Sequence, residues 1–452
     1  MKDKFNLTTG SILQKLLLVA LPIMGTQLMQ MAYNLVDMYF LGKLGASAVA
    51  ASGTAGMFMW LSMGPMILAR TGTEVGVAQS IGHNDIKDAK KYAQNGLLLA
   101  IVSGLCFSAL YIVFHSQLVG FFNIQETNVV KDTEAYLTIV AIAFPFTFST
   151  SVLDGIFSAS GNSKPSFLCH TTGLLLNIII DPIFIFTFKM GVQGAAYATL
   201  LSQMVVFLCL ILSFHFNKNK PFKKFKYTLR FAGEKIKSIF RVGIPTGLET
   251  MLFCVLTMIS NRMLATYGAN VLAIFRVTSQ IESLSWLISG GFSTALVAFV
   301  GQNYGAGNSD RIKNSVKLSI TVMVIWETIV TIVLFFFGKY LFYLFLPDDS
   351  LLEIADRFMK ILAICQISMA LEKVYGAAFK GVGKSNPPAI SSVVSNIGRV
   401  AFAYALSLTS LKVYGIQWGM CIGAVVRGVW IAIWYYKEER KGTLISNFSQ
   451  IM

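Results

Sequence analysis

Four polar residues interrupt an apolar run near the start of the chain. Gln27, Gln30, Asn34 and Asp37 lie within residues 13–41, at spacings that a helix gathers into a polar stripe. A carboxylate ending such a stripe, inside a stretch long enough to cross hydrocarbon, is costly and marks a functional position by default. A second run, LLLNIIIDPIF at 174–184, puts Asn177 and Asp181 four residues apart on one face. Pro182 follows directly, so the backbone around Asp181 is expected to be irregular, with carbonyls released from the helix ladder. Two carboxylates in one apolar environment allow two chemistries. Desolvation and mutual repulsion favour a proton shared and exchanged between them. With Asn177 and a hydroxyl, the same groups form an oxygen cage for Na+, a hard cation that takes such ligands. A polar network that only packs the helices is the third reading.

Other residues are read more plainly. His170, seven positions before Asn177, reads as a satisfied or interfacial histidine, and Glu74 as the intrahelical partner of Arg70 four residues earlier. Asp154 is either a second cavity carboxylate or a cap at the membrane edge. Tyr33, Met24, Met31, Phe144, Phe146 and Phe148 face lipid or pack the core on the plainer reading, and otherwise suit flat organic cations through cation–π contact and adaptable packing. Pro22, about four turns before Asp37, removes one backbone hydrogen bond and offers a place to bend.

The elements that must position these groups are membrane helices. The 452 residues are 55% hydrophobic and 13% charged, with mean hydropathy +0.63, against about 25% charged in soluble domains. About twelve spans are expected, near 13–41, 46–81, 92–115, 133–157, 166–188, 192–216, 239–264, 268–303, 314–338, 355–379, 388–410 and 414–436. The net charge of +15 sits mostly in short connectors, which excludes the clustered basic face of a nucleic-acid binder. Loops 82–91, 217–238 and 304–317 and the tail are basic, whereas the alternate connectors carry single lysines with Asp348, Asp349 and Glu353. That asymmetry places both termini in the cytoplasm of a multi-pass plasma-membrane protein. The six cysteines are far apart in sequence and read as buried reduced thiols. The first apolar run is too long for a cleavable signal peptide.

The chain also repeats itself. Pro22 matches Pro245, Gly45 matches Gly268, Gln79 and Gly82 match Gln302 and Gly305, and Gly161 and Pro165 match Gly383 and Pro387, at offsets of 222–223. Six spans per half make the halves parallel, a plan of secondary transporters. The expected division is an N-terminal lobe at 1–216, a basic cytoplasmic linker at 217–238, a C-terminal lobe at 239–438 and a tail at 439–452.

Pro22 with Asp37, TGTEVGVAQSIG at 71–82, SGNSKP at 160–165, LLLNIIIDPIF at 174–184 and GVQGAAYATLLSQ at 191–203 together resemble the multidrug and toxic compound extrusion (MATE) family, bacterial type. The resemblance covers essentially the whole chain. It implies an all-α fold of twelve transmembrane helices, in two pseudo-symmetric six-helix lobes forming a V-shaped central cavity. It further implies a monomer in the lipid bilayer that exports amphipathic, mostly cationic drugs in exchange for H+ or Na+, with no other cofactor. The family's cation-coupling positions fall on Asp37, Asn177, Asp181 and Thr199. Gln27, Gln30, Tyr33, Asn34 and Asp154 are the expected cavity residues of the first lobe.

The second lobe breaks the symmetry. Ser260 stands where the first half has Asp37, and Arg399 where it has Asn177. This lobe holds Glu249, Arg276, Glu282, Glu372 and Arg399, from which buried pairs of Glu249 or Glu372 with Arg276 or Arg399 are expected. They either stabilise the lobe or form a second cation or substrate site. Arg276 and Arg399 also keep open a flippase for lipid-linked oligosaccharide in the same wider superfamily. TGTEVG lacks the context of a nucleotide loop, no Walker sequence is present, and no catalytic constellation is visible. The reading is therefore a transporter driven by an ion gradient, not an enzyme.

Overall fold

The computed structural model describes residues 5–122, 124 and 126–444, so the last eight residues of the expected tail lie outside it. The first half contains α1 (Ile12–Leu44), α2 (Ala46–Leu61), α3 (Met63–Gly82), α4 (Ile86–Val113), α5 (His115–Gly120), α6 (Thr127–Ala141), α7 (Phe144–Ala159), α8 (Lys164–Pro182) and α9 (Gly191–Phe216). The second contains α10 (Gly233–Ala265), α11 (Ala269–Gly305), α12 (Ser309–Phe345), α13 (Leu352–Gly381), α14 (Asn386–Ser407) and α15 (Val413–Arg440). Among the described residues nine helices are long and apolar enough to cross a membrane, and α6 with α7, bent by 49°, make a tenth. The α2–α3 pair and the charge-bearing α13 complete the twelve-span layout.

Two expected continuous spans are broken, each for an identifiable reason. The 46–81 run divides at Ser62, and the 133–157 run divides before Phe144. Pro65 and Pro145 lie in the first turns of the new helices. Proline lacks an N–H and clashes with the preceding turn of a continuing helix, but is tolerated where a helix starts. The repeat is visible in the backbone too: Gly45 (φ 118°) and Gly268 (φ 103°) occupy matching corners in a region that disfavours other residues. Two cysteine expectations fail. Cys209 is only half-buried. Cys106 is exposed, because its face of α4, with Leu105 and Val102, points outward, where lipid would cover it.

The two halves meet over the ends that carry the basic loops. Gln79 Nε2 on α3 donates to Gly381 O at 2.9 Å, and Gln302 Nε2 on α11 donates to Ala159 O at 2.6 Å. The segment preceding α1 crosses the same seam. Leu7 N donates to Gln302 Oε1, and Arg311 donates to the carbonyls of Leu7, Thr9 and Gly10. An apolar cluster shared by both halves joins Leu16, Val19 and Ile23 of α1 to Phe292, Leu296 and Phe299 of α11. Midway along the helices the contact continues through Met24 against Gly291 and Met251 against Gly64. Towards the opposite ends a Cβ added at Gly53, Gly56 or Gly268 would meet nothing within 4 Å, and the hydrogen bonds described between the halves lie at the basic ends or midway. The described seam thus closes the basic side.

Candidate functional site

The N-terminal lobe gathers one polar cluster from four helices. Tyr33 and Asp37 come from α1, Tyr136 from α6, Asn177 and Asp181 from α8, and Thr199 and Ser202 from α9. Asn177 Nδ2 donates to Asp181 Oδ1 at 3.0 Å, and Tyr136 OH donates to Asp37 Oδ2 at 3.4 Å. Asn177 and Asp181 are 0% exposed. Just after Asp181 the helix loosens into a π-turn at Ile183–Thr187, closed by Phe188 N on Ile183 O. Pro182 produces the irregularity that the sequence leads one to expect.

Many oxygens of this cluster lack partners. Tyr33 OH, Asp37 Oδ1, Asn177 Oδ1, Asp181 Oδ2, Thr199 Oγ1 and Ser202 Oγ are buried without a hydrogen bond among the described groups. Such atoms cost free energy unless something fills the gap. The donor set is all oxygen and includes two carboxylates, with no salt-bridge partner described for Asp37 or Asp181. It fits a hard monovalent cation as well as a proton.

The stripe on α1 divides. At 100° per residue, Asp37 is rotated by about 80° from Gln27, which turns it with Tyr33 into the lobe. Gln27 instead bridges to α11: its amide donates to Leu287 O and accepts from Gly291 N, both at 3.2 Å. Gln30 and Asn34 are exposed beyond that contact. Pro22 sits one turn before Gln27, its carbonyl taken by Thr26 Oγ1. Asp154 is not in the cluster; its Oδ2 meets His170 Nε2 at 3.0 Å, with Glu74 and Arg70 (3.8 Å apart) nearby.

The second lobe pairs its charges differently from expectation. Glu249 meets Lys380 at 3.4 Å, and Glu372 meets Arg427, with Lys373 at 3.9 Å. Arg276 and Arg399 take neither acid. Lys380 and Arg427 project from the neighbouring helices α13 and α15, whereas Arg399 on α14 reaches Thr257 Oγ1 of α10, and Arg276 is exposed on α11. Glu327 of α12, 0% exposed, accepts from Ser285 and Ser289 of α11.

The MatE family profile matches residues 22–183 and again 245–405, the two halves set by the internal repeat. The chain belongs to the MatE family. A probable multidrug resistance protein NorM from Thermotoga maritima is 28% identical over 388 residues, 85% of this chain and 83% of that protein. A protein named FAD transporter from Shewanella oneidensis is 24% identical over 452 residues, 97% of each chain. In fold the chain is similar to a MOP superfamily transporter from Pyrococcus furiosus, with TM-score 0.91, 24% identity and coverage of 98% and 99% of the two chains.

Within this MatE chain, sequence reasoning missed Tyr136, Ser202, Lys373, Lys380, Arg427 and Glu327. Ser202 follows Thr199 by three residues and was within reach of the spacing argument. Glu327 is the sole charged residue between Lys317 and Lys339, a signal that went unread. Glu327→Ala should lower stability by about 2–4 kcal/mol, through a cavity and two serines without their acceptor. Glu327→Gln, which keeps volume and an acceptor, should cost about 1 kcal/mol or less. Thermal unfolding of the purified variants checks both.

Proposed function

We propose that this protein is a secondary active antiporter that exports amphipathic, mostly cationic compounds in exchange for H+ or Na+. The observation that carries the reading is the pair Asp37 and Asp181, buried in one lobe with their neighbours' oxygens unpartnered. The names of relatives as multidrug resistance proteins support export of such compounds. The basic loops support a closed end and both termini on the cytoplasmic side of the plasma membrane, the orientation in which the opening between the lobes faces outward. A proton or Na+ enters this open state and binds among Asp37, Asn177, Asp181 and Thr199. Neutralising the carboxylates changes how α1 packs beyond Pro22 and narrows the pocket, which expels cargo. The lobes then rock, and the ion leaves into the cytosol as new cargo enters. Gln30, Tyr33 and Asn34 are the proposed cavity residues of the N-terminal lobe, whereas Gln27 is taken up in the α1–α11 contact and Asp154 in its pair with buried His170.

The test uses proteoliposomes loaded with a fluorescent cationic dye, under a pH gradient or a Na+ gradient imposed separately. For one-for-one exchange, a ten-fold gradient of the driving ion supplies about 1.4 kcal/mol, so about ten-fold accumulation is expected with one gradient. Equal dye distribution under both gradients, in folded and oriented protein, rejects the antiporter. Arg276 and Arg399 favour a second reading, a flippase of lipid-linked oligosaccharide. Gradient-independent movement of a fluorescent lipid-linked pyrophosphate precursor between leaflets would support it.

A further inference from the structure

We propose that the C-terminal lobe holds an anion subsite centred on Arg399, so that the transporter takes cargo bearing a carboxylate or phosphate as well as a cation. This rests on the exporter reading and specifies its substrate class. The repeat supplies the first argument. Arg399 occupies the position that matches Asn177, Ser260 the one that matches Asp37, and Ala403 the one that matches Asp181. The mirrored site has therefore exchanged two carboxylates and an amide for a hydroxyl, a methyl and a guanidinium.

The second argument is the company that Arg399 keeps. Its side chain lies against α10, with Nη2 on Thr257 Oγ1 at 3.3 Å and its guanidinium carbon 5.1 Å from the Phe253 ring centre. Its Nε is buried with no hydrogen-bond partner, and it forms no described ion pair within 4 Å. Lys373, Lys380 and Arg427 of the same lobe all have carboxylate partners. Glu282 and Arg427 act on Arg399 only from longer range. Glu282 Oε1 is itself engaged by Gln366 Nε2 at 3.2 Å, and Gly423 of α15 packs directly on the base of the arginine, where an added Cβ would lie 2.6 Å from Arg399 Cβ. A guanidinium held in a membrane lobe without a close counter-ion is a functional position by default. Its fork matches carboxylate and phosphate oxygens and presents several donors to them.

The third argument concerns access. On α11, residues 287, 290 and 291 pack against α1. Arg276, Gln280 and Ser283 continue the same helical face towards the open end, where α1 presents Gln30 and Asn34. Arg276 is exposed there with no described partner. The two lobes thus differ in polarity, with Asp37 and Asp181 inside one, and Arg276 exposed on the other with Arg399 deeper against α10. A zwitterionic amphiphile matches both lobes, whereas a simple cation matches one.

Rhodamine 110 and its methyl ester rhodamine 123 share one cationic ring system and differ in a free carboxylate. Equilibrium binding of each to the full-length protein in nanodiscs tests the subsite, and efflux from proteoliposomes tests the exporter separately. Wild type should bind the free acid about ten-fold or more tighter than the ester. Arg399→Gln should weaken the acid by roughly thirty-fold or more and the ester by less than about two-fold, and Arg399→Lys should restore part of the loss. Equal wild-type affinity for acid and ester, or parallel losses of both in the variants, overturns the subsite even where the ester is exported. Arg399-dependent binding of the acid without gradient-driven efflux of either dye would uphold the subsite and reject the exporter. The wild-type comparison needs no variant to fold.

Discussion

Asp37→Asn is expected to abolish gradient-driven accumulation while leaving the protein folded and able to bind dye. The wild-type ratio, about ten-fold for one-for-one exchange against a ten-fold ion gradient, should fall to unity, because an amide neither takes up a proton nor supplies the charge that holds Na+. Asp181→Asn should behave alike, since Asp181 shares the site through Asn177 and lies within electrostatic reach of Asp37. Stability separates this account from a packing role. Asp37 Oδ1 and Asp181 Oδ2 are buried without partners, so an ionised carboxylate there opposes folding, and replacing it with a neutral isostere should leave thermal stability equal or higher. A carboxylate that merely packed the lobe would show the reverse pattern, with lower stability and uphill transport retained in the surviving protein. Tyr136→Phe removes the one described donor to Asp37 and should weaken coupling without eliminating it. Dye efflux under each gradient, measured beside unfolding curves, decides between the two.

Much of this arrangement was legible before any coordinates, and the reasons differ by element. The repeat, the spans and their charge asymmetry follow from hydropathy and from paired prolines and glycines, which act locally. Asn177 and Asp181 were readable as a unit because i,i+4 spacing determines their proximity. Tyr136 was not, because its place beside Asp37 depends on how α6 packs against α1, and nothing local to Tyr136 encodes that. The charge pairs of the second lobe failed for a related reason. Glu372 had several long basic side chains within reach, and helix rotation alone decided that Arg427 of α15 would meet it and Arg399 would not. The breaks near Ser62 and Phe144 were legible in principle, since Pro65 and Pro145 stand inside runs read as continuous. Hydrophobic length outweighed proline in that reading, and the chain gives the opposite ranking.

The largest conformational effect is expected from two glycines that the same repeat brings to the closed seam. A Cβ on Gly82 would lie 1.9 Å from Gln302 O, and one on Gly305 would lie 1.9 Å from Gln79 O. These are backbone atoms that cannot rotate away, and they belong to the residues whose side chains tie the seam. Gln79 reaches Gly381 O in the second lobe and Gln302 reaches Ala159 O in the first, so each half supplies one glycine and one glutamine to a reciprocal latch. Gly82→Ala and Gly305→Ala should therefore force α3 and α11 apart on the basic side. Overpacking costs typically 1–3 kcal/mol, which moves a two-state equilibrium by roughly 5–150-fold, here towards the state open on that side. Ala78, against which Gly301 packs across the seam, reports the change when replaced by cysteine in a cysteine-free background. Its labelling by a water-soluble maleimide should rise about ten-fold in either glycine variant, and uphill dye export should fall. Gly56→Ala, where the added methyl meets nothing within 4 Å, should change neither. Unchanged labelling in both seam variants would mean that the helices absorb the methyl by local shifts, and the latch would then have no part in setting which side is open.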